Sequence, residues 1–312
     1  MDKKQRGKHL CFFLLSLLLF LTAVSCRDNQ YQDFDYKETN PQGSYKTAYF
    51  QYTINSTEEI APNNFNTVLT QISGIAGIEY QTEQRIFHLE SLSVKITAGE
   101  VDFLYDSSVK YTEEKDRIRN IPYSVLLNKS LVLPLDRDGY IKQIVGYEKI
   151  EQDLTTQINQ CGWDTADQLR NTFYEFFSED TLKFVLGRMV GGIPFETIQK
   201  GTLIVRPSEN VTPYGCNISA IFQYKGIRNN IYEFDISGTN RAAGSHNGIS
   251  YELSGDLSGK ILLYESSGTG SLFREGHEQS TLNGTQKYRE NGEEIRRNLI
   301  VSFNFRYQIL NQ

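Results

Sequence analysis

Apolar and polar residues alternate with a period of two over most of the chain. Phe50, Tyr52 and Ile54 are separated by Gln51 and Thr53; Leu92, Val94 and Ile96 by Ser93 and Lys95; Val101, Phe103 and Tyr105 by Asp102 and Leu104. Such alternation sends one set of side chains to a core and the other to water, and it predicts half-buried strands. The pattern returns after Pro194 in Ala220, Phe222 and Tyr224, then in Tyr232, Phe234 and Ile236. It is most regular in Val301, Phe303, Phe305, Tyr307 and Ile309. Leu131-Val-Leu-Pro-Leu135 followed by Asp136-Arg-Asp-Gly139 and an apolar stretch to Val145 reads as a hairpin. Asn247-Gly248, Asn283-Gly284 and Asn291-Gly292 read as further turns. Short connections of this kind predict an antiparallel meander.

Between residues 147 and 190 the period lengthens to that of a helix. Tyr147, Ile150, Leu154 and Ile158 share a face, and Gly162 stops the segment. Asp164 is the expected cap of a second helix with Ala166, Leu169, Phe173 and Phe176 or Phe177 on its inner stripe. Ser178 is the expected cap of a third, carrying Leu182, Val185, Leu186 and Met189 and ended by Gly191-Gly192-Ile193-Pro194. The expected fold class is therefore α+β: predominantly antiparallel β in two strand-rich halves, 45–146 and 195–312, separated by a short helical block, 147–194. Strands beside helices would curve into a half-barrel with a concave apolar face. The pattern leaves open whether the halves share one sheet.

The first residues bear on address rather than fold. Lys3, Lys4, Arg6 and Lys8 precede an uncharged, largely apolar run from Leu10 to Ser25, closing on Ala23-Val24-Ser25-Cys26. That run is short of the roughly 20 residues of a bilayer-spanning helix. It matches a secretory signal over 1–25, and its end resembles the lipobox of bacterial lipoproteins. Cys26 would then carry lipid and become the mature N-terminus; an ordinary peptidase site leaving a free thiol is the alternative. Residues 26–44 hold no aliphatic side chain and read as the lipidated cysteine and a polar tether. Removing residues 1–25 takes four Lys/Arg and one Asp from the 32 and 38 of the whole chain, leaving 28 against 37 and a net charge of −9. That balance argues against a nucleic-acid partner, which calls for a basic footprint.

The succession of lipobox, tether, Leu135-Asp-Arg-Asp-Gly-Tyr-Ile141 with Val145-Gly146, helices, and a second strand block containing Tyr251-Glu-Leu-Ser-Gly-Asp-Leu-Ser-Gly259 and Glu265-Ser-Ser-Gly268 resembles an uncharacterised family of Bacteroides-type lipoproteins, a domain of unknown function. The resemblance implies a lipid-anchored envelope protein, on the periplasmic face of the outer membrane in preference to the cell surface. It brings no catalytic residues. It also makes Asp164-Thr165-Ala166 and Asp180-Thr181-Leu182 similar to an O-glycosylation sequon of that group, with Thr165 and Thr181 the candidate acceptors and helix capping the plainer role.

Little else signals chemistry. Cys161 and Cys216 are a candidate disulfide in an oxidising compartment, with two buried thiols as the commoner outcome. Outside the signal the histidines are His88, His246 and His277. No Gly-x-Ser-x-Gly elbow accompanies them, and His277-Glu278 does not continue into a zincin motif. Asp136-Arg-Asp-Gly139 has the spacing of a calcium loop, but Pro134 and Val145 would occupy the first and last ligand positions, which excludes it. No metal and no cofactor is expected. The expected function is a non-enzymatic envelope lipoprotein that binds a lipid or other apolar ligand, or a protein partner, on a β-sheet scaffold. A structural or assembly component of an outer-membrane complex comes second. A hydrolytic enzyme drawing on His246 or His277 comes third.

Overall fold

The structure, a computed structural model, describes residues 34–35, 44–62, 64–81, 83–194, 196–211, 215–246, 249–265, 272–290 and 293–311. Cys26, Asn247-Gly248 and Asn291-Gly292 lie outside the described residues. The expected tether is partly structured: β1 (Phe34–Asp35) pairs with β7 (Thr197–Ile198).

The rest of the β-structure is one sheet. Its first half comprises β2 (Ser44–Ala61), β3 (Asn64–Gln81), β4 (Gln84–Ala98), β5 (Val101–Asp106) and β6 (Ser130–Pro134). Its second half comprises β8 (Leu203–Val205), β9 (Glu209–Val211), β10 (Cys216–Arg228), β11 (Ile231–His246), β12 (Ile249–Glu265), β13 (Leu272–Glu290) and β14 (Glu293–Asn311). The strand order is β5-β4-β3-β2-β14-β13-β12-β11-β10-β8, with β6 on β4 and β9 on β10. The halves join where β2 pairs antiparallel with β14, from Asn311↔Lys46 to Leu299↔Glu58. The 12 strands form an open sheet, and with 61% strand against 20% helix the fold is mostly β. This corrects the expected α+β class with a helical block between two strand-rich halves, and the halves, left open as one sheet or two by the pattern, form a single sheet. The alternation in each half shows how a strand is buried but not which strand it meets, so the β2–β14 seam was invisible to it.

Alternation sets the two faces. Tyr52 and Ile54 on β2, and Val301, Phe303, Phe305, Tyr307 and Ile309 on β14, are buried, while Tyr49, Asn55 and Arg306 are exposed. One face therefore carries the core and the other meets water, as antiparallel sheets permit. Asn283-Gly284, expected as a turn, lies inside β13, paired with Ile300 and Leu299. A Cβ on Gly284 would stand 1.9 Å from the carbonyl oxygen of Glu252, so this glycine serves close strand approach rather than chain reversal.

Five helices complete the described structure: α1 (Glu114–Arg119), α2 (Ile121–Ser124), α3 (Tyr147–Ile158), α4 (Trp163–Phe177) and α5 (Glu179–Val190). The last three match the helical periodicity. The Ser178 side chain accepts from the backbone N–H of Thr181 and so caps α5. Asp164 does not cap α4, whose N-cap is Gly162; it lies in the first turn, where its charge favours the helix dipole. The expected hairpin after β6 is a turn without a second strand. Asp136 Oδ1 accepts from the backbone N–H of Asp138 and Tyr140, and only the isolated bridges Val132↔Val145 and Leu135↔Ile141 follow. This turn docks on the end of α5, where Gly192 N–H donates to the Gly139 carbonyl at 2.7 Å.

Candidate functional site

Helices α4 and α5 lay their apolar stripes over the inner face of β2–β4, and the packing leaves an interior cavity of about 50 Å³. Ile72, Leu89 and Leu92 line it from the sheet; Phe176, Leu182 and Met189 line it from the helices. Lys129 is the one charged side chain in its lining, and it is ion-paired to Asp153 on α3. At roughly 10–15 Å³ per water-sized sphere, the cavity holds a few such spheres, and a cavity walled this way stays dry. It fits the end of an alkyl chain, is about a third of the roughly 150 Å³ of an apolar cavity that takes benzene, and is well below the roughly 300–1,000 Å³ usual for a drug-sized pocket.

Beside the cavity the helical layer is fixed by buried charge. Arg188 on α5 is 0% exposed; its Nη1 lies 2.7 Å from Glu209 Oε2 on β9 and its Nε 2.5 Å from Glu278 Oε1 on β13. The same guanidinium stacks over Phe184 and Phe222. Arg206, also buried, lies 4.0 Å over the ring of Tyr140. Desolvation, with help from neighbouring Arg188, pulls its guanidinium down to about 10. Burial pushes the Glu278 carboxyl up, against the opposing pull of Arg188. Charges with so little solvent persist only as partners, so Arg188, Glu209 and Glu278 act as a clasp between α5 and the sheet.

Sequence reasoning missed this clasp. Glu278 sits in β13 among core-facing Arg274, Gly276, Ser280 and Gln286, so the strand lacks the apolar alternation that marks its neighbours. The available signal was an acid at core parity opposite Phe305.

The residues singled out from the sequence are dispersed. Cys161 follows α3 and Cys216 opens β10; neither forms a disulfide. Burial pushes the Cys216 thiol up to about 12, which leaves it a poor nucleophile. Thr165 is exposed in the first turn of α4, whereas Thr181 is buried with its hydroxyl bonded to Ser178, so only Thr165 presents an accessible acceptor. His88 shares a hydrogen bond with Ser130 on β6, and His277 lies on the outer face of β13, with β3, β2 and β14 between their strands. The side chain of His246 is outside the description. Asp136 spends its carboxylate on its own turn, and among the described residues no group of His, Cys, Asp or Glu side chains is placed to hold a metal. No helix among the described residues is long and apolar enough to cross a membrane.

The sequence matches the family of unknown function DUF6263 over residues 86–269. No curated protein matches it. Among solved structures, one reported for lipid–protein interactions in lipovitellin is similar over 87% of this chain, at 12% identity and a TM-score of 0.42; this chain spans 25% of that one. OpdQ of Pseudomonas aeruginosa is similar over 88% of this chain and 99% of its own, at 7% identity and a TM-score of 0.19. OmpF of Salmonella typhi, in complex with daunomycin, is similar over 88% and 100%, at 6% identity and a TM-score of 0.18. At such identities and scores no function is transferred.

Proposed function

The chain belongs to the family of unknown function DUF6263, and from that premise we propose that it is a non-enzymatic, lipid-anchored envelope protein that binds an apolar ligand between its sheet and its helices. The observation that carries this reading is the cavity under α4 and α5, whose lining is apolar except for Lys129. The tail of an acyl chain enters between Leu182 and the sheet, and a carboxylate head near Lys129 would have to displace or share its partner Asp153. The volume sets the scale: a short chain end fits as the helices stand, and a longer one requires α4 and α5 to ride outward. The anchor is Cys26, supported by the basic start, the apolar run and the small residues before the cysteine.

Displacement of a fluorescent fatty acid tests the site, with Leu182→Trp to fill the cavity from a half-buried position. The expected result is saturable binding by the parent and at least tenfold weaker binding by the variant, with an unchanged melting curve. Equal binding by both, or none by the parent, removes the ligand reading. Cys26→Ala tests the anchor separately: the variant moves from the membrane to the soluble fraction, and its retention with an acyl label counts against lipidation there.

A second reading, a component of an outer-membrane assembly, is supported by the sheet edges. Leu104 on β5 and Leu203 and Val205 on β8 are each more than half exposed on strands at or beside the two open ends, where another chain can add.

A further inference from the structure

The outer face of the sheet carries a second recess, which shares only Phe50 with the lining of the apolar cavity. It is an open groove of about 490 Å³ across β2, β14, β13 and β12. Cross-strand register sets its floor in two rungs. One runs Gln51, Arg306, His277, Lys260; the next runs Tyr49, Gln308, Glu275, Leu262. Three basic side chains thus stand side by side on neighbouring strands, roughly 4.8 Å apart.

Their neighbours decide which of them is available. Lys260 is drawn away toward β11, ion-paired to Glu233 and 3.7 Å from Asp235. Glu275 is drawn toward β12, its Oε1 accepting from the Tyr264 hydroxyl at 2.5 Å. Next to Lys260 on the same rung, His277 and Arg306 are exposed, and neither makes an ion pair or side-chain hydrogen bond among the described residues. Gln51 and Gln308 flank the pair with amides, and Tyr49 closes one end with a ring that is 46% exposed. On the far side of the basic rung come Thr53, Asn304, Gln279 and Ser258, uncharged hydroxyls and amides.

We propose that this groove is a binding site for an oxyanion, with Arg306 as the principal ligand-holding residue and His277 as its neighbour in the contact. A planar guanidinium grips two oxygens of a phosphate or carboxylate in parallel, and charge-assisted bonds of this kind are about twice as strong as neutral ones. The imidazole ring adds a donor on the next strand, and the amides of Gln51 and Gln308 supply both donors and acceptors for whatever hydroxylated body carries the anion. A rigid sheet floor fixes the spacing of these groups before any ligand arrives. The anion is either free in solution or the phosphate of a lipid headgroup.

The histidine makes the test local, because the sequence after residue 25 holds only His88, His246 and His277. Imidazole proton resonances of the full chain are followed by NMR as inorganic phosphate is added, each assigned by a single His→Ala variant. The expected result is a saturable shift of the His277 resonance, absent at His88 and lost in Arg306→Gln. In parallel, the full chain carrying Cys26→Ala is pelleted with phosphatidylcholine vesicles with and without phosphatidic acid. Extra pelleting on phosphatidic acid that vanishes in Arg306→Gln, without a phosphate response, assigns the site to a headgroup. Arg228→Gln, an exposed site at the end of β10, leaves both readouts unchanged. If Arg306→Gln responds like the parent in both assays, or neither phosphate nor phosphatidic acid produces an effect, the proposal fails. The apolar-cavity reading is untouched by that failure, since Arg306 does not line the cavity.

Discussion

At the scale of single residues, the least replaceable side chain is Arg188. It is fully buried yet charged, and its tolerance depends on two carboxylates delivered by strands far apart in sequence. Removing one of them leaves a buried cation half compensated. Glu278→Ala is therefore expected to cost about 3–5 kcal/mol, the range for breaking a buried pair from one side. Replacing both partners by apolar residues of similar volume, Arg188→Met with Glu278→Leu, is expected to recover most of that loss, because neither charge then has to be desolvated. Urea denaturation of the two variants checks this. A Glu278→Ala midpoint equal to the parent's would show that the pair contributes nothing to holding α5, and a double variant worse than the single would show that the clasp is stabilising in its own right.

At the scale of elements, the three longer helices were legible because their apolar stripes recur at helical spacing and because Ser178 and the Gly191-Gly192 stop mark the ends of α5. The strands with clean alternation, β2, β10 and β14, were legible for the same kind of reason. What stayed hidden depends on contacts between distant segments. β13 hides because its core-facing positions are Arg274, Gly276, Glu278 and Ser280, and these polar groups are buried only by virtue of α5, β9 and β14. The Asn283-Gly284 pair misled because local turn chemistry and close strand approach both select glycine. Between these two roles a substitution discriminates. Gly284→Ala drives a Cβ into the Glu252 carbonyl oxygen and is expected to destabilise by roughly 1–3 kcal/mol, within the usual range for a strained core site. Gly244→Ala, where a Cβ would meet only the Tyr251 side chain, at 3.8 Å, is expected to stay within about ±0.5 kcal/mol. Thermal melts of the two give the comparison, and a neutral Gly284→Ala would mean that β12 and β13 can separate there without loss.

At the scale of the whole molecule, the sheet is closed to subdivision by its central seam. β2 from the first half lies between β3 and β14, the last strand of the second half, so neither half keeps its core if the other unfolds. Stability is then a property of one cooperative unit, and buried titratable groups anywhere in it act on the same transition. Lys46 sits on that seam, paired in register with Asn311, and is 1% exposed. Desolvation, with a further contribution from nearby Arg85, brings its ammonium down to about 8, against roughly 10.4 in an unfolded chain. Between those values the unfolded chain binds more protons than the folded one, so stability rises with pH. Above about pH 10 the direction reverses. Burial raises Tyr52 and Tyr307, so the folded state there keeps protons that the unfolded chain releases. The buried Cys216 thiol, raised to about 12, opposes that climb from about pH 8.5, where a thiol in an unfolded chain loses its proton, so the climb from pH 8 to pH 10, with a downturn beyond it, is expected in the urea midpoint of Cys216→Ala. Adding Lys46→Met to Cys216→Ala removes the group that drives the climb, so the midpoint of the double variant should be flat over the same interval while the downturn above pH 10 persists. A climb that survives in the double variant would assign it to another group. A Cys216→Ala midpoint that does not rise between pH 8 and pH 10 would mean that Lys46 keeps its proton in the folded seam as readily as in water.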